Sequence, residues 1–481
     1  MMAWKMAKKG IAMKLIFVHG WSVTHTDTYG QLPNSLVEKA VEYNIKIEIS
    51  EIFLGKYVSF NDDITLDDVA IALNKALHDL PGNQHAIQPF SCITHSTGGP
   101  VVRHWLQRFY GSRKLASCPL KHLLMLAPAN HGSALAVLGK KQVSRLKAWF
   151  EGVEPGLRIL DWLCLGSKGQ WILNRSSLTA QYAKNGLYPF VFTGQGIDQK
   201  VYDFLNAYLI EPGSDGVIRV PSANLNYKFC SLVQTDTPVP GYRSKSLFLN
   251  LKNQQSIKSS AEVPLAVFHG LSHSGKKMGI MASRADNLQH QQLVVELLKS
   301  LKVNSIKSYQ SRIQDLKKLS EDEQKKVPVG KKESISRFCM LIFHVHDENN
   351  NPIQRNDCDV LLLAGKNYKE HLLPDGFFQD RQYNKNNHTL IYYLNYDKLI
   401  KIKDQKFGIK IIARPFKGFA YYIPAEFHSD DISLEKLFSP NETSYFDITL
   451  KRQVDKNVFR FQKGTEKQSS FKKIKPSGES V

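Results

Sequence analysis

Three side chains drawn from distant stretches of the chain could share one proton. Ser96 stands in THSTG (94–98), behind the apolar run FSCI and ahead of Gly99 and Pro100. A serine hydroxyl is a weak nucleophile until a neighbouring base takes its proton, and that base must itself be held in one orientation. Asp215, in PGSDGVIRVPSANL (212–225), offers a carboxylate in a Gly/Ser/Pro loop. His273, in FHGLSHSGKKMGIM (268–281), offers an imidazole. The chemistry open to such a set is attack on an acyl carbonyl through a covalent acyl intermediate.

The surroundings of Ser96 sharpen this reading. An apolar strand, a tight turn bearing the serine and a helix with Pro100 in its first turn make a nucleophile elbow. The elbow needs small residues two positions to each side of the serine. Gly98 satisfies this on one side, and Thr94 departs from it on the other. FVHGW (17–21) ends another apolar run in His-Gly, so the backbone N–H of Trp21 and that of Thr97 could face a developing oxyanion. His269 competes with His273 for the role of base. We prefer His273 because Ser-His-Ser-Gly places it at a loop tip, whereas His269 adjoins the apolar run LAVF and reads as a packed strand end. His95 abuts Ser96 but should point sideways and pack, and His131, in PANHGS, should line the pocket without moving protons.

These loops need a frame. From residue 14 to about 300, short apolar runs (KLIFVHG, FSCIT, LKHLLMLAPA, LYPFVFTGQG) alternate with helical spacing in TLDDVAIALNKALHDL, GPVVRHWLQRFYG and DNLQHQQLVVELLKSL. Thr65 and Asp68 form a capping-box pattern, with Asp in place of Glu. Strands separated by helices predict a parallel sheet covered on both faces. We therefore expect a catalytic domain over residues 1–302, with a lid-like insert at about 134–186. Three of the six tryptophans, Trp149, Trp162 and Trp171, fall in that insert among Leu and Ile, as an apolar cap over an acyl groove would require. Residues 303–333 read as a solvated, charged helical linker. Residues 334–450 hold short β-branched and aromatic runs between Asn, Asp, Gly and Pro turns, which predicts a sandwich-like all-β domain. Residues 451–481 read as a loose basic tail.

FVHGW, THSTGGPVVRHW, LAPANHGS, SDGVIRVPSANLNY and HSGKKMGIM together resemble α/β-hydrolases of the lipase and phospholipase group, over about residues 14–300. The order Ser96, Asp215, His273 is the order of triad partners in that fold. The resemblance implies hydrolysis of an acyl ester: Ser96 attacks, His273 takes and returns the proton, Asp215 holds the imidazole, and water cleaves the acyl-enzyme without metal or organic cofactor. A phospholipase A, a lysophospholipase and a triacylglycerol lipase all fit. A thioesterase or amidase acting on lipidated protein, or a non-catalytic scaffold of the same fold, are the alternatives.

A formal charge of +20 favours anionic partners, and with no nucleic-acid-reading motif in the chain we expect peripheral contact with an anionic membrane surface. The six scattered cysteines, without CxxC spacing, suggest neither a disulfide framework nor a zinc site. LIFV is too short for the apolar core of a signal peptide, and there is no uncharged run of about 18 residues that could cross a bilayer. A cytoplasmic location is expected, with signal-independent export left open; oligomeric state is not legible.

Overall fold

Runs that are apolar without alternation become strands covered on both faces. In the computed structural model, which describes residues 12–19, 29–59, 61–111, 113–139, 156–196, 211–240, 247–326, 335–430 and 432–458, six strands form one sheet. Its order is β2 (Ile47–Ile52), β1 (Met13–Val18), β3 (Phe90–His95), β4 (Leu120–Leu126), β5 (Tyr188–Gly194) and β9 (Leu265–Phe268), and every pair is parallel. Each residue of β3 and β5 is buried, as expected of a sheet between helical layers.

Alternate side chains of these strands enter two cores. Ile16, Cys92 and Met125 meet α2 (Leu66–Asp79) and α3 (Gly98–Phe109) on one face. Phe17, Ile93 and Leu126 meet α1 (Leu32–Ala40), α7 (Leu288–Leu301) and α8 (Ile306–Lys325) on the other. The capping box of α2 is present: Thr65 Oγ1 accepts from the Asp68 backbone N–H, and Asp68 accepts from that of Thr65. Trp105, wholly buried on α3, donates Nε1–H to Asn74 of α2 at 3.0 Å.

The second sheet is mixed. Its path runs β11 (Cys358–Ala364), β14 (Phe407–Ala413), β16 (Ala425–His428), β7 (Leu249–Asn253), β6 (Tyr227–Pro238), β17 (Thr443–Leu450), β10 (Phe338–Asp347), β13 (Thr389–Asn395), β12 (Phe378–Asn384). The short β8 (Lys258–Ser259) pairs with β6, and β15 (Ala420–Tyr422) with β18 (Arg452–Val454) stands apart. Period-two alternation again divides the side chains. Phe338, Met340 and Ile342 join the core shared with α3, while Cys339, Leu341 and Phe343 enter a core of the sheet's own. Tyr392 of β13 donates its hydroxyl to the Val360 carbonyl of β11, so the two ends of the path curl over one another in a sandwich-like arrangement.

The expected division of the chain is corrected. The catalytic and β-rich parts do not divide at residue 302, because β6 and β7, from inside the first segment, are inner strands of the second sheet. Residues 306–325 are not a solvated linker. Tyr309, Ile313 and Leu316 form a buried stripe at helical spacing, and the Tyr309 hydroxyl donates to the Pro189 carbonyl at 2.7 Å. In the insert, α4 (Ala134–Gly139) is followed by residues outside those described, Trp149 among them; α5 (Leu157–Leu163) and α6 (Lys168–Ser177) are packed between α3 and the second sheet. Trp171 of α6 meets Phe229 and Tyr445 edge-on, with centroids 5.3 and 5.0 Å apart. Of the expected tail, residues 452–454 form β18, and those after 458 lie outside the described chain.

Candidate active site

Ser96 directly follows the central strand β3 and carries φ = 53°, a left-handed conformation unusual for a residue with a Cβ. Such strain is sustained only where the surroundings enforce it. Here they do. A Cβ on Gly98 would lie 3.1 Å from the Val18 carbonyl oxygen and 3.3 Å from Thr94 Cβ; one on Gly99 would lie 2.8 Å from Pro128 Cβ. Thr94 can therefore replace the usual small residue because its opposite number, Gly98, has no side chain. The turn delivers Ser96 to the start of α3, with Thr97 as the residue that opens the helix.

The structure brings Ser96, His273 and Asp215 together. Ser96 Oγ lies 3.0 Å from His273 Nε2, and His273 Nδ1 lies 2.9 Å from Asp215 Oδ2. A carboxylate only accepts, so Nδ1 carries the proton and Nε2 presents its lone pair to the serine hydroxyl. The other oxygen of Asp215 accepts from the backbone N–H groups of Val217 and Ile218 at 3.0 and 2.7 Å. The His273 N–H donates to the Asp215 carbonyl at 2.9 Å, which ties the two loops together. Asp215 is fully buried, His273 nearly so, and Ser96 is 7% exposed. This geometry lets a hydroxyl proton pass to an imidazole whose tautomer is already set.

The other histidines are placed elsewhere. His269 sits beside Glu323 of α8 and Lys326 just past its end, and burial lowers its basicity. His95 is buried, but its Nε2–H donates to the His273 carbonyl at 3.0 Å, with the rings 4.6 Å apart. It thus braces the loop of the base, and burial, followed by the charge His273 would carry, holds it neutral. His19 stacks on Phe53 with centroids 4.0 Å apart, and burial pushes it down to about 4. His131, expected in the pocket, is fully buried at the junction of the two sheets: Nε2–H donates to the Asn224 carbonyl at 2.9 Å, and Nδ1 faces the Tyr445 hydroxyl at 2.6 Å. Trp21 lies outside the described residues.

Sequence reasoning missed the group that holds the acid loop. Arg219, 1% exposed, donates Nε–H to Glu211 at 2.7 Å, and its Nη2 pairs with Glu211 and with Asp380 of β12. Its guanidinium lies 4.2 Å from the ring centroid of Tyr393, on β13. The Tyr393 hydroxyl reaches the carbonyls of Pro212 and Gly213 at 2.8 and 3.2 Å. The second sheet thus grips the loop two residues before Asp215. No local sequence signal joins Arg219 to partners more than 150 residues away.

Among solved structures, phospholipase PlaB from Legionella pneumophila matches the chain with 40% identity and a TM-score of 0.82, over 98% of this chain and 99% of that one. Phospholipase PlaB from the same organism in complex with thio-NAD matches with 39% identity and the same TM-score, over 98% and 100%. This chain belongs to the phospholipase PlaB family. It is a serine hydrolase by that membership, and the likeness spans the second sheet as well as the first. No protein-family model and no curated protein matches the chain.

Proposed function

We propose that this PlaB-family protein hydrolyses the acyl esters of phospholipids through an acyl-enzyme on Ser96. The observation that carries the reading is the continuous Ser96–His273–Asp215 relay, in a chain related over its whole length to a phospholipase. His273 Nε2 takes the hydroxyl proton as Ser96 Oγ attacks the ester carbonyl, then gives it to the departing lysolipid oxygen. In the second half, the same nitrogen takes a proton from water, which attacks the acyl carbon and releases the fatty acid. Asp215 stabilises the imidazolium. The N–H of Thr97, at the positive end of α3, and that of Trp21 are the oxyanion donors in this reading.

The protein's approach to an anionic membrane belongs to the same proposal. Phe416 and Phe419 are about half exposed, and Lys417 stands between them in the chain, a pairing of aromatic and cationic groups suited to lipid headgroups.

The test is labelling by a fluorophosphonate, together with fatty-acid release from phosphatidylglycerol, triolein and an S-acyl peptide. Labelling should vanish in Ser96→Ala, and the phospholipid should be the fastest substrate. A wild type that neither labels nor hydrolyses would leave a scaffold of hydrolase fold; faster release from the peptide would make it a thioesterase.

A further inference from the structure

His344 and His346 are two residues apart on β10, so their side chains leave the same face. Asp447, on β17, is the register partner of His344 across a parallel pair. Its Oδ1 lies 3.2 Å from His344 Nδ1 and 3.1 Å from His346 Nε2, and the three atoms fall within 4.8 Å of one another. Among the described residues no other group of three His, Cys, Asp or Glu side chains gathers in this way.

The two N–O spacings are those of hydrogen bonds and equally those of neighbouring ligands on one ion. Imidazole and carboxylate ligands bind at about 2.0–2.2 Å, which sets neighbouring ligand atoms about 3.0–3.4 Å apart. The second shell is also in place. His346 Nδ1 lies 2.9 Å from the Asp347 carbonyl oxygen, which can only accept, so Nδ1 carries a proton. A ring N–H given to a backbone carbonyl is the usual support of a metal-binding histidine. The far oxygen of Asp447 has Arg175 of α6 at 3.6 Å, with that side chain 65% exposed and screened.

We propose that His344, His346 and Asp447 bind one divalent transition-metal ion between β10 and β17, with water completing its coordination. Two nitrogens and one oxygen favour zinc, cobalt or nickel over magnesium or calcium, which prefer oxygen. The site lies where the sheet meets the hydrolase half: the Trp171 ring is 5.5 Å from that of His344, and Tyr445, two residues from Asp447, is bonded to His131. An ion here would pin the two strands that form this seam.

The full-length chain, stripped with EDTA and dialysed against zinc chloride, should retain about one more zinc per molecule than the double variant His344→Gln/His346→Gln. Zinc chloride should raise the thermal midpoint of the wild type alone, and magnesium chloride should raise neither. Equal zinc content in the two proteins, or none in the wild type, overturns the proposal; the carboxylate then simply accepts from two rings. If the double variant does not fold, as judged by circular dichroism, zinc-edge X-ray absorption on the wild type decides. Two imidazole scatterers support the site, and a shell without imidazole overturns it.

Discussion

Gly213→Ala tests whether the second sheet holds the catalytic acid in place. Gly213 has φ = +77°, and a Cβ there would lie 2.2 Å from Phe338 Cδ2 and 2.4 Å from the Tyr393 hydroxyl oxygen. Gly186 has a similar φ of +74° with nothing within 4 Å of the same added atom. Both substitutions meet the left-handed penalty of about 1–2 kcal/mol. Both also share the small gain from a less flexible unfolded chain. Only Gly213→Ala adds overpacking, at about 1–3 kcal/mol. It also displaces the hydrogen bond from Tyr393, at about 1 kcal/mol. The difference between the two variants should therefore be about 2–4 kcal/mol in urea unfolding. Because the clash falls two residues before Asp215, a loop shift of about 1 Å should lower kcat about 100-fold in Gly213→Ala and leave Gly186→Ala near wild type. Equal stabilities, or an unchanged kcat in Gly213→Ala, would refute the idea that β10 and β13 position the acid.

Other measurements bear on the remaining parts. Asp215→Asn should lower kcat about 10⁴-fold while leaving the unfolding midpoint nearly unchanged, since the wrong tautomer of His273 then faces Ser96; a loss below tenfold would remove the acid from the relay. His19 and His131 are depressed by burial to about 4 and about 3, so between pH 6.5 and 4 the unfolded chain binds protons that the folded chain refuses. Stability should be full above pH 6.5 and fall through that window, with a shallower slope in His131→Gln; a flat urea midpoint from pH 7 to 5 would contradict this. Phe416→Ser/Phe419→Ser should weaken sedimentation with phosphatidylglycerol vesicles severalfold, and unaltered sedimentation would move the membrane-facing surface elsewhere.

The features legible in the sequence were those encoded within a few residues. The elbow around Ser96, the capping box at Thr65 and the unbroken apolar runs of β3 and β5 each state their geometry locally. The loops of Asp215 and His273 could be ordered along the chain, but only the sheet could bring them within hydrogen-bond reach. What stayed hidden depended on distant partners. Nothing in YKFCSLVQTDTP says which sheet will accept β6, because an alternating strand suits either. Helix α8 looked solvated since its buried stripe is narrow and interrupted by Ser320 and Gln324. In the insert, a lid and a packed helix pair call for the same Trp and Leu residues, so composition could not separate them. Nothing beside Arg219 in the chain marks it as buried, because Asp380 and Tyr393, which enclose it, come from the far end of the chain.

The passage of the chain into the second sheet at β6 and β7, and its return to the first at β9, means that this protein is not a catalytic cassette with a detachable accessory. A fragment ending near residue 302 would leave β6 without β17 and β7 without β16, exposing open backbone edges and the apolar face of Phe229 to solvent. Swapping the β-rich half between relatives, or shedding it by proteolysis, would dismantle the hydrolase along with it. The second sheet is built from strands on both sides of the expected boundary, so neither half is complete without the other.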